Sequence, residues 1–70
     1  MKPFAKLRGR IVEIYGSQAR FSQAIGVSEV TVINKLKGTR SFSMDDIVNW
    51  SDALKITKEN VGDYFFADKL

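Results

Sequence analysis

The chain has 70 residues and a formal net charge of +3, and it contains neither Cys nor His. Disulfides, thiol or imidazole catalysis and the common zinc ligand sets are excluded, so a single domain over residues 1–70 must be held by its apolar core alone. The charge is uneven: residues 1–40 carry eight Lys/Arg against two acids, and residues 41–70 carry three against six. Such polarity orients a protein in the field of a polyanion.

Apolar periodicity predicts a first helix from about Phe4 to Tyr15. Phe4, Leu7, Ile11 and Ile14 share one stripe, Pro3 suits the first turn, and Gly16 ends it. Ser17 can cap a second helix over Gln18 to Ile25, with Phe21 and Ile25 as its buried pair. Gly26 supplies a turn and Val27 fills the angle behind it. Ser28 then caps a third helix, Glu29 to Lys37, which buries Val32 and Leu36 and places Glu29 where the helix dipole favours an acid. Gly38 stops it. Thr39 to Ser43 reads as a polar loop with Phe42 tucked inward.

Ser43-Met44-Asp45-Asp46 resembles a capping box and opens a fourth helix to about Lys55, with Ile47, Trp50 and Leu54 facing inward. A shorter fifth helix runs from Thr57 through Phe66, weakened by Gly62. Strand-type alternation and internal repeats are absent. No apolar run approaches the roughly 18 residues of a membrane span, and no secretory h-region follows Met1. The expectation is an all-α protein of the cytoplasm.

Two helices joined at Ile25-Gly26-Val27-Ser28 form a helix-turn-helix pattern, whose second helix can enter the DNA major groove. On that helix Ser28, Glu29, Val30 and Asn34 are the candidate base readers. Asn34 can pair with adenine, Glu29 can accept from cytosine N4, and Val30 can touch a thymine methyl. Ser17, Gln18, Lys35, Lys37, Thr39 and Arg40 are candidate contacts to the DNA backbone. Lys6, Arg8, Arg10 and Arg20 are weaker candidates for the same role. Asp45, Asp46 and Asp63 have no His, Cys or glycine-rich cradle beside them, so neither a catalytic site nor a metal or cofactor is expected.

The run Gln18-Ala19-x-Phe21-Ser22-x-x-Ile25-Gly26-Val27-Ser28-x-x-Thr31-Val32, continued by Leu36-x-Gly38, resembles the XRE-type helix-turn-helix of phage repressors and Cro proteins. Ile47-x-x-Trp50-x-x-x-Leu54-x-Ile56 extends the likeness, and Val61 to Phe66 looks like the tail of small Cro-like regulators of Gram-positive phages and prophages. Ser22 departs from the Ala usual in that family, and Lys35 from an apolar residue. The resemblance implies a compact five-helix, lambda-repressor-like domain that represses transcription at a double-stranded DNA operator in a lysis–lysogeny switch, with a homodimer assembled on the DNA. It also implies an alternative, a protein–protein modulator or antirepressor in complex with the phage's lysogenic repressor. The apolar end Val61, Tyr64, Phe65 and Phe66 either packs on its own core or offers a docking face for that complex. An antitoxin of a toxin–antitoxin pair shares the fold and is a third reading.

Overall fold

The computed structural model describes residues 4–66; Pro3 and its expected place at the start of the first helix lie outside them. Four α-helices follow in order: α1 (Ala5–Tyr15), α2 (Gln18–Ile25), α3 (Glu29–Lys37) and α4 (Met44–Leu54). A 3-10 turn at Lys58–Asn60 and a π-helical turn at Gly62–Phe66 make up the fifth helical segment. There is no strand among the described residues. The expected all-α, five-helix architecture with a helix-turn-helix is what the structure shows.

Local chemistry sets the boundaries. The hydroxyls of Ser17, Ser28 and Ser43 accept from the N–H groups of Arg20, Thr31 and Asp46, each at 3.1 Å, capping α2, α3 and α4. At α4 the Asp46 carboxylate accepts from the Ser43 N–H at 2.8 Å, which completes a capping box. Gly26 ends α2 at φ 75°, its N–H bonded to the Gln23 carbonyl, while the Val27 N–H reaches back to Ser22. Gly38 closes α3 with the same pair of bonds, to Lys35 and from Thr39 to Asn34.

Two boundaries differ from the sequence reading. Phe4 precedes α1 in the left-handed region rather than starting the helix, and α4 stops at Leu54 because Lys55 turns left-handed at φ 56°. The fifth segment is not a regular α-helix; Gly62 opens the π-helical turn there.

The core is Leu7, Ile11, Phe21, Val32, Leu36, Trp50, Leu54, Ile56 and Phe65. Through it runs a chain of aromatic edges. Tyr15 meets Phe21 at 5.3 Å between ring centroids, Phe21 meets Trp50 at 4.8 Å, and Phe42 meets Trp50, Phe65 and Phe4 at 4.9, 5.2 and 5.3 Å. All but the tilted Tyr15–Phe21 pair meet edge to face, and such pairs contribute about 0.5–1.5 kcal/mol each beyond their burial. Phe42 therefore fastens the loop before α4, as expected, and joins both ends of the fold to its centre. Ile47 faces inward as expected, and Ile25, expected to be buried with Phe21, is only partly so; both pack against the core.

Ser22 is buried and bonds its hydroxyl to the Ala19 carbonyl at 2.7 Å, which lets a serine occupy the tight contact between α2 and α3.

Candidate functional site

α2 and α3 present one outer surface, built around the N-terminal end of α3. Glu29 and Val30 project there from the first turn, Val30 65% exposed and Glu29 with no ion-pair partner among the described residues. Val27, expected to fill the angle between the helices, is 38% exposed instead and belongs to the same patch. The Gly26 turn carries its side chain outward while Val32 and Leu36 occupy the interior. Ser28 lies beside them, its hydroxyl engaged with the N–H of Thr31 and, at 2.8 Å, with the Thr31 hydroxyl. Asn34 is half-buried further along, and its carbonyl accepts from the Thr39 amide and hydroxyl and from the Arg40 amide. Ser17 and the half-buried Gln18 stand at the start of α2.

The cations are used differently from the sequence expectation. Lys35, a candidate phosphate contact, is 8% exposed and forms an ion pair with Asp46 of α4. Its position is one where the resembled family has an apolar residue, and it is buried as that residue would be. Burial alone raises the Asp46 carboxyl; the Lys35 ammonium and the Ser43 amide and hydroxyl outweigh it and hold the carboxyl below its ordinary value.

Arg8 and Arg10 of α1 also turn inward. Arg8 donates to the Leu36 carbonyl and Arg10 to the Leu54 carbonyl, both at 2.9 Å, and Tyr15 donates to Ala53 at the same distance. These carbonyls belong to the last turns of α3 and α4, which lack intrahelical donors, so α1 clamps the ends of both helices. Arg10 pairs with Glu13 at 2.7 Å as well. Lys6 lies 3.8 Å from Asp63 and 4.8 Å from the Tyr64 ring centroid. Of the cations in the basic half, Arg20, Lys37 and Arg40 are left exposed and unpaired among the described residues.

The hydrophobic tail resolves in favour of self-packing. Phe65 is buried in the core and Val61 and Tyr64 pack against it, leaving only Phe66 substantially exposed, at 43%. No helix among the described residues is long and apolar enough to cross a membrane.

The comparisons with known proteins bear on this surface. Residues 2–68 match a family described as a protein of unknown function, DUF739. The chain belongs to the DUF739 family. Among curated proteins this DUF739 member has no match. A solved structure similar to it is the solution structure of the modulator of repression (MOR) of the temperate bacteriophage TP901-1 from Lactococcus lactis. The two are 32% identical with a TM-score of 0.83, and the match covers 93% of this chain and 88% of that one.

Together these findings support a phage regulatory protein without singling out the XRE or Cro-like branch. They overturn the leading expectation of a DNA-binding, Cro-like repressor that reads an operator with its third helix. The similar protein is a modulator of repression, and neither an operator nor a homodimer on DNA finds support. The sequence reading failed because a helix-turn-helix pattern fixes backbone geometry, whereas the partner is chosen by side chains whose pairing is set elsewhere in the fold. One available signal was Lys35 itself, a charge at a position whose neighbours' spacing marks it as interior.

Proposed function

We propose that the chain modulates repression in a phage by forming a protein–protein complex with the lysogenic repressor. It acts in the bacterial cytoplasm as a binding module with no catalytic step. The observation that carries this reading is the likeness to a modulator of repression at 32% identity, over 93% of the chain.

The surface chemistry supports it. A DNA-reading helix works beside phosphates and needs surrounding cations. Here Lys35 is withdrawn into an ion pair, while Glu29 stands exposed at the end of α3 that would enter the groove deepest. An uncompensated carboxylate is repelled by phosphate but complements an Arg or Lys on a basic protein surface. Val27 and Val30 add exposed apolar area beside it, the material from which the dry centre of a protein interface is made.

The test is to mix the purified chain with the lysogenic repressor of the same phage, without DNA, and measure mass by size-exclusion chromatography with light scattering. A stoichiometric complex is the expected result. Val30→Asp and Glu29→Lys should each weaken it by about tenfold or more while leaving the fold intact, since both side chains are exposed. If no complex forms at concentrations of about 50 μM, an affinity range easily reached by weak regulatory contacts, the proposal is wrong.

A further inference from the structure

α4 carries two exposed apolar side chains on one face. Met44 is 74% and Val48 52% exposed. They stand one turn apart, Asp52 continues their row by a further turn, and Asp45 and Asn49 run along its edge. Asp45, Asn49 and Asp52 are exposed as well. The inward stripe of Ile47, Trp50 and Leu54 serves the core without any of them.

The contacts of α4 fix where this face points. Trp50 meets Phe21 of α2, and Asp46 pairs with Lys35 of α3. At about 100° per residue, Trp50 and Asp46 lie on the side of the helix opposite the Met44–Val48–Asp52 row. The face is therefore turned away from the α2–α3 surface, and a repressor held at that surface leaves it open.

Its charge selects its occupant. α4 contains no Lys or Arg, and Lys35 neutralises Asp46 on the inner side only. Asp45 and Asp52 make no ion pair among the described residues. Two uncompensated carboxylates thus border an apolar row, in a chain whose total charge is +3. A second copy of the face would set like charges against each other, and duplex DNA or an anionic membrane is repelled by them. A helix with its own apolar row flanked by Lys or Arg fits both features. Asp45 and Asp52 are two turns, about 10 Å, apart along the axis, so cations seven positions apart on such a helix reach both. We infer that the outer face of α4 docks a cationic amphipathic helix of a partner protein. This docking is independent of the repressor complex. The patch is small, so the contact is weak and salt-sensitive.

The probe is a synthetic helical peptide of about 14 residues, Leu along one face and Lys beside it, titrated into the isotopically labelled full chain. Backbone amide shifts in nuclear magnetic resonance spectra should concentrate between Met44 and Asp52, with a Kd between about 10 and 500 μM that weakens as salt rises. A peptide of the same composition, permuted to lose its apolar face, should bind about tenfold more weakly or worse. Val48→Ser and Asp52→Asn should each weaken binding by about fivefold, and Met44→Ser is a second lesion of the row. Circular dichroism melting checks that these variants keep their fold, and each should still form the repressor complex. Absence of binding up to about 1 mM overturns the inference, as do equal affinity for the permuted peptide or indifference to all three variants. Shifts at α4 that depend on the chain's own concentration would assign the face to a second copy and overturn it too. Loss of the repressor complex in folded Val48→Ser would do the same, by assigning the face to the repressor.

Discussion

Lys35 shows how one side chain decides what a surface can do. A lysine in an interior position is tolerated only if its charge is matched, and Asp46 matches it while also completing the α4 capping box. Lys35→Ala removes the cation and leaves a gap beside the core, so a loss of about 2–3 kcal/mol is expected in urea unfolding. Lys35→Met keeps the packing stem and should recover most of that loss, because Asp46 retains the Ser43 N–H and some access to water. Equal losses in the two variants would mean that the charge, not the packing, is what position 35 supplies.

The pH dependence follows from the lowered Asp46 carboxyl. A carboxyl held below its unfolded value contributes stability that is complete above about pH 4–5 and is lost as pH falls through the folded value. Asp46→Asn removes that contribution. The stability gap between wild type and Asp46→Asn should therefore be constant near neutrality and narrow as pH falls below about 4. Melting temperatures across pH 2.5–7, as a roughly spaced series, would reveal it. A gap that stayed constant to the acid end would remove the ion pair and capping box as its source.

At the scale of elements, most of the fold was legible because its signals are local. Ser17, Ser28 and Ser43 cap the helices they were expected to cap, and Gly26 and Gly38 end two of them in the left-handed conformation. What escaped were departures without a local signature. Lys55 takes the same left-handed ending at α4, its N–H bonded to Asp52 while the Ile56 N–H bonds to Ser51, yet nothing in a lysine announces it. Burial of Ile56 against the core holds the chain in that turn and outweighs the local cost. A residue with a Cβ in this region costs about 1–2 kcal/mol relative to its ordinary conformations. Lys55→Gly should relieve part of it and stabilise the protein by about 0.5–1 kcal/mol, after the greater freedom of glycine in the unfolded chain is counted. Calorimetry would register this as a rise of several degrees, on the order of 4 °C, in Tm for a domain this small. A fall in Tm would show that the Lys55 side chain itself is needed there.

Across the whole molecule, folding withdraws part of the basic half of the sequence from the surface. Arg8 and Arg10 are joined to carbonyls 28 and 44 residues away, and Lys35 to an acid 11 residues away. Separations of that kind cannot be read from composition, which is why the charge asymmetry pointed to a polyanion while the folded surface does not. Among the described residues Arg20, Lys37 and Arg40 are the exposed unpaired cations of that half, and with the surface-exposed Lys6 and with Lys2 counted, at most about five phosphates can be neutralised there. Each phosphate contact contributes about 0.9 to the slope of log affinity against log salt, so the slope for random duplex DNA should not exceed about 4.5 in magnitude. Fluorescence anisotropy of a labelled duplex between about 50 and 200 mM salt measures it. A slope near 6 would mean that Arg8, Arg10 and Lys35 leave their internal partners to reach DNA. Folding would then be coupled to nucleic acid rather than to a protein partner.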